Sequence, residues 1–171
     1  MIARSHVAIG LAAWVCAAPL LHLAPFDPAS LALAVAGSLL PDVDHPRSWL
    51  GRRLGPVSRG LAAMLGHRGV THSALAAAGL AALRSHAGAR RAAVAALAVG
   101  YLSHLAADML TPQGLRLAWP LRRTWGVPLC RTGSRAEPAV VAALVCAMAW
   151  WALAHGAARA AALQLWRIAQ P

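Results

Sequence analysis

At 171 residues the chain has room for one domain, 1–171, and little more. Hydrophobic residues make up 59% and charged residues 12%, against ~25% charged in a soluble globular domain, which excludes an ordinary water-soluble fold and turns apolar surface toward lipid. The formal charge is +11 and all 16 basic residues are Arg; they cluster between apolar runs, where membrane-flanking charge accounts for them, so nucleic acid is not an expected partner.

Alanine and leucine dominate, and the ten-residue alternating segments of a membrane barrel are absent from the sequence. The expected fold is therefore all-α: a polytopic membrane helical bundle of about five apolar helices, two of them short, with an interfacial C-terminal helix. In chain order the apolar segments are 7–24, 29–40, 71–83, 92–110 and 138–154. The first, fourth and fifth approach the ~20 residues a bilayer crossing needs. The first also resembles a signal peptide, but Pro25 would follow the cut and further helices come after it, so it is read as a retained span. After Gly156 the tail carries Arg159 and Arg167 on a polar side, with Leu163 and Trp166 elsewhere. Cys16, Cys130 and Cys146 form no CxxC pair and no disulfide framework is expected.

The polar residues between these segments are few and concentrated. His6 precedes the first segment. Pro41-Asp42-Val43-Asp44-His45 follows the second, and His67-Arg68-Gly69-Val70-Thr71-His72-Ser73 opens the third. His104 and Asp108 stand four residues apart in the fourth, on one helical face. Glu137 precedes the fifth, where Ser134-Arg135-Ala136-Glu137 has the capping-box pattern and a ligand role for Glu137 stays open beside it. If all five segments cross, each of these elements arrives on the same membrane face, and the Arg count of eleven against five makes that face cytoplasmic. His22, His86 and His155 fall outside the clusters and read as interfacial.

Ionisable residues within or beside apolar helices are costly and need a partner. Mixed imidazole and carboxylate groups suit zinc, manganese or iron. His104 with Asp108 can grip an ion or pair with each other across packed helices. Asp42 and Asp44 can be ligands, a base, or a polar cap. Thr71 and Ser73 can bond free amides or orient an imidazole. Arg68 carries a donor fork matched to phosphate, as do Arg52, Arg53, Arg122 and Arg123, or all five are membrane-flanking charges. The chain has no glycine-rich phosphate loop, HExxH, GxSxG or EF-hand motif.

The order LLPDVDHPRSWLGRR, GHRGVTHS, GYLSHLAADMLTPQG, WPLRR and TGSRAE, behind His6, resembles the YdjM family of inner-membrane proteins over about residues 6–137. The resemblance implies a multi-pass protein of the bacterial inner membrane with metal-dependent hydrolase activity. It extends a metal role to His6, Asp42, Asp44, His45, His67, His72, His104 and Asp108. A more distant similarity, to the all-α zinc-dependent phospholipase C and P1 nuclease group, implies phosphate-ester cleavage. This chain is much shorter and more apolar, so that group's ligand set and metal count do not carry over. The expectation is a hydrolase with divalent metal, zinc or else manganese, a base from the Asp42/Asp44 pair, Arg68 at the substrate, and a phosphoester or membrane phospholipid as substrate. The alternatives are a divalent-metal or proton transporter and a membrane adaptor with a structural metal site.

Overall fold

Runs of Ala, Leu and Val in lipid can satisfy their backbone groups only within helices, and among the described residues seven α-helices form. The computed structural model describes residues 1–65, 69–121, 123–156 and 166. His67, Arg68, Arg122 and most of the expected interfacial tail lie outside the described residues. The helices are α1 (Ala3–Leu20), α2 (Pro28–Leu39), α3 (Trp49–Leu54), α4 (Pro56–Leu65), α5 (Ala74–His86), α6 (Arg91–Met109) and α7 (Glu137–Ala154). Short 3-10 turns occupy Leu40–Asp44 and Val70–His72. Among the described residues there is no strand, only an isolated antiparallel bridge between Leu115 and Trp125.

Helices α1, α6 and α7, with 18, 19 and 18 residues, are long and apolar enough to cross a membrane; at ~1.5 Å per residue each approaches the ~30 Å hydrocarbon thickness. Helix α2 has 12 residues and α5 has 13, which gives each roughly 20 Å, too short for a straight crossing. Both pack on α6. Helix α6 is the centre of the bundle: 56% of its apolar window is buried, against 11% for α7, which leaves most of α7 facing outward. Trp14 and Ala18 of α1, Ala34 of α2, and Ala95 and Ala96 of α6 form one core cluster. Met1, Ile9, Ala107 and Cys130 form another, closed by Val140, Leu144 and Met148 of α7. Cys16, Cys130 and Cys146 are all free thiols.

Local chemistry sets the helix ends. Asp27 caps α2, its Oδ2 accepting from the Ser30 amide at 2.8 Å with Pro28 in the first turn, and these contacts hold the Asp27 carboxyl below its usual pKa. Ser48 caps α3 by accepting from the Gly51 amide, and its hydroxyl donates to Asp42 O at 3.0 Å. Ser73 caps α5. The observed helices are shifted by a few residues from the apolar segments, α1 ending at Leu20 rather than 24 and α5 running over Ala74–His86 rather than 71–83, and two polar features also differ from the sequence expectation. Helix α1 begins at Ala3, so His6 lies inside its first turns rather than before the span; Ser5 and His6 are buried there, which holds this polar turn in the helix. The Ser134–Glu137 capping box does not form: α7 starts at Glu137 without a side-chain cap. The Glu137 carboxylate instead accepts from the Gly133 and Ile2 amides at 2.5 and 2.8 Å. It is fully buried and ties the start of α1 to the start of α7.

The contact between α2 and α6 runs through glycine. A Cβ on Gly100 would stand 2.0 Å from Ala34 O, and one on Gly37 would stand 2.1 Å from Leu97 O. Both obstacles are backbone atoms, which cannot swing aside. Gly79 of α5 has open space around it. Gly100→Ala should therefore destabilise the protein by about 2 kcal/mol or more through overpacking, while Gly79→Ala should be neutral or stabilise it by up to ~1 kcal/mol through helix propensity. Thermal unfolding in detergent followed by circular dichroism checks this; equal melting shifts for the two variants would contradict the close packing of α2 on α6.

Candidate metal centre

Helices α1, α5 and α7 start, and α2 and α6 finish, at one end of the bundle. That end holds most of the buried polar side chains: His6, Asp44, His72, His104, Asp108 and Glu137 are each at most 1% exposed. Two groups of three residues there have ligand atoms all within 4.8 Å of one another: His6, His104 and Asp108, and Asp42, His72 and His104.

Helix α6 supplies the centre. His104 Nε2 lies 3.8 Å from Asp108 Oδ2, one turn along, and 3.9 Å from Asp42 Oδ1. His104 Nδ1 lies 2.7 Å from Ser38 O, at the end of α2. A carbonyl can only accept, so Nδ1 carries the hydrogen and the neutral ring turns its Nε2 lone pair toward the two carboxylates. That Nε2 makes no hydrogen bond within the described residues. With Nδ1 committed, Nε2 is the one donor His104 brings to both groups, which are therefore a single cluster.

His72 is oriented by a relay. The Thr71 hydroxyl donates to Asp44 Oδ2 and so can only accept from His72 Nδ1, which lies 3.0 Å away. The hydrogen on Nδ1 leaves Nε2 as the lone-pair atom, 3.9 Å from Asp108 Oδ2. Tyr101 of α6 braces this turn through a hydroxyl hydrogen bond to Thr71 O. The two aspartates of the Asp42/Asp44 pair thus part ways: Asp42 faces His104, while Asp44, fully buried, acts on His72 through Thr71.

His6 stacks on His104 with ring centroids 3.7 Å apart and planes at 13°. Its Nε2 lies 3.3 Å from Asp108 Oδ1 and 3.1 Å from Met1 O; both oxygens can only accept, so in the neutral ring Nε2 carries the hydrogen, and Nδ1, buried without a hydrogen bond among the described residues, is the lone-pair atom. The Met1 amino group donates to Asp108 Oδ1 at 2.5 Å. His45 is half-buried and, among the described residues, belongs to neither three-residue group. It lines a cavity of about 480 Å³ whose wall includes Met1, Asp42 and Trp49. The expected places of His67 and Arg68 fall outside the described residues.

The donor set fits a divalent ion. Two ligands ~2.1 Å from a tetrahedral ion stand roughly 3.4 Å apart, and the Nε2 atoms of His72 and His104 lie 3.8 to 3.9 Å from the Asp42 and Asp108 oxygens. Lone pairs and carboxylate oxygens converge at these distances, with His104 Nε2 lacking a hydrogen bond among the described residues and the Met1 ammonium already beside Asp108 Oδ1, a donor set whose chemistry suits a divalent ion. Ser38 and Glu137 are the contributors that the sequence does not single out for these roles. Ser38 acts through its backbone carbonyl, which no residue type announces. Glu137 reaches across the chain to Ile2 rather than along its own helix.

Comparison with known proteins assigns the family. The YdjM inner membrane protein family matches residues 1–169. Inner membrane protein YdjM of Escherichia coli (strain K12) is 38% identical over 124 residues, covering 68% of this chain and 63% of the relative. The protein of the same name in Shigella flexneri matches to the same extent. The uncharacterized protein YvsG of Bacillus subtilis (strain 168) is 32% identical over 160 residues, covering 91% of this chain and 98% of the relative. The chain thus spans less than two thirds of the YdjM proteins' length but nearly all of YvsG. No solved structure matches the chain significantly. With a family match running from residue 1 to residue 169, over three helices able to cross a membrane, the chain belongs to the YdjM inner membrane protein family.

Proposed function

We propose that this protein is a metal-dependent hydrolase of the bacterial inner membrane, acting on a phosphoester such as a phospholipid headgroup. The observation that carries the reading is the convergence of His72 Nε2, His104 Nε2, Asp42 and Asp108 beside an open cavity. A structural site has its coordination filled by protein, whereas a catalytic one keeps a position open. The cavity against Asp42 favours the second. Within the described residues the cluster stays at one end of the bundle, while the α2–α6 contact is lined by glycine and alanine, which favours a hydrolase over an ion path across the membrane.

The residues divide the work as follows. His72, His104 and Asp108 would hold the ion, with His6 against Asp108 and Asp42 facing it from the cavity wall. Zinc or manganese bound there would supply Lewis acidity and lower the pKa of a coordinated water toward neutrality. Asp42, at the cavity wall, is placed to take a proton from water entering there. Asp44 and Thr71 hold the His72 ring in its ligating tautomer. His45 lines the approach. If α2 and α5 each return the chain across the bilayer, the arginine distribution turns the cluster to the cytoplasm.

Purified protein should retain about one equivalent of zinc or manganese by plasma mass spectrometry, and His104→Ala with Asp108→Ala should abolish both metal retention and phosphodiester hydrolysis. A double variant that stays active would sink the hydrolase reading; metal-free wild type, even after reconstitution, would sink the metal centre. The relay makes a separate prediction. Asp44→Asn and Thr71→Val should each weaken metal affinity by roughly 10–100-fold, and Thr71→Ser should keep most of it. A competition titration with a chelating dye measures this, and unchanged affinity in both Asp44→Asn and Thr71→Val would remove the relay from the account.

A further inference from the structure

The cavity beside Asp42 has a second property. Arg4 of α1, Arg47 of the turn before α3, and Arg52 of α3 all line it, together with Trp49 and His45. Arg4 is distant in sequence from Arg47 and Arg52, yet all three face one space of about 480 Å³. All three are exposed at its mouth, and among the described residues none forms an ion pair with a carboxylate. Asp42 is the carboxylate on the cavity wall, so guanidinium charge outweighs it. Arg53 is engaged elsewhere: its guanidinium lies 3.6 Å from the centre of the Trp49 ring and donates to Trp49 O at 3.1 Å. Arg123 stacks over Trp125 at 4.3 Å.

We infer that Arg4, Arg47 and Arg52 form a phosphate-binding subsite that holds the anionic group of the substrate against Asp42 and the metal cluster. Guanidinium forks match phosphate oxygens in geometry and charge. The placement is right for a reaction centre: the same wall that carries the arginines carries Asp42, whose Oδ1 lies 3.9 Å from His104 Nε2. The shared chemistry is a phosphate ester, whether on a lipid headgroup or on a soluble molecule. The inference rests on the hydrolase reading for what the bound phosphate is for, while its binding can be measured without metal.

The test uses the full chain in detergent, stripped of metal with EDTA and titrated calorimetrically with inorganic phosphate. Wild type binds phosphate; the Arg4→Gln, Arg47→Gln, Arg52→Gln triple variant binds at least about tenfold more weakly; Arg53→Gln binds as wild type does. Each substituted arginine is exposed, so the triple variant should keep the wild-type melting temperature and metal content. No phosphate binding by wild type, or equal binding by the triple variant, overturns the subsite. A second arm compares nanodiscs of phosphatidylcholine with nanodiscs containing phosphatidylglycerol. If phosphatidylglycerol competes with phosphate in wild type, the subsite takes a lipid headgroup; phosphate binding unaffected by lipid assigns a soluble ester. Arginine-dependent phosphate binding in a chain that never retains metal would keep the subsite and discard the hydrolase.

Discussion

The bond from His104 Nδ1 to Ser38 O, 2.7 Å long, joins the end of α2 to the last turns of α6, and much of the site follows from it. It fixes which nitrogen of His104 is free, and it sets that nitrogen between Asp42 and Asp108. An imidazole and a carboxylate one turn apart in a buried helix would be costly alone in lipid. The chain meets that cost by bringing further polar groups to the same end: His6 from α1, His72 from the turn before α5, and the Asp42/Asp44 pair from the turn after α2. The same end holds Glu137, which secures the start of α1 to the start of α7 through the Ile2 amide.

Close packing makes this possible. Gly37 and Gly100 let α2 and α6 approach until the backbone of each touches the other, and Ser38, whose carbonyl receives His104, is the residue after Gly37. The small residues on these helices therefore have a chemical consequence. They bring a backbone acceptor within reach of a buried ring, in a bundle where α1, α6 and α7 have the length to cross.

Much of this was legible in the sequence because helical periodicity is local. The i,i+4 spacing of His104 and Asp108 predicts one face, and the alternation of apolar segments predicts one end for the polar elements. The distinction between Asp42 and Asp44 was not legible: both lie in a single 3-10 turn, and only the arrival of Thr71 from a distant part of the chain separates them. The capping pattern at Ser134 misled for a similar reason, since Glu137 finds amide donors at Gly133 and Ile2 instead. Arg4 and Arg47 looked like flanking charge, and membrane topology alone would explain them. Only the cavity shared with Arg52 marks them out, whereas Arg53, adjacent to Arg52 in sequence, turns onto Trp49.

The central claim is that one buried ion site is built from imidazole and carboxylate. X-ray absorption at the metal edge of the zinc-loaded protein tests it most directly. The account predicts a first shell of nitrogen and oxygen at ~2.0–2.2 Å, with outer-shell scattering from at least two imidazoles and no sulfur. A sulfur shell at ~2.3 Å, or an oxygen-only shell without imidazole scattering, would place the ion elsewhere and leave the cluster as a network of helix-packing hydrogen bonds.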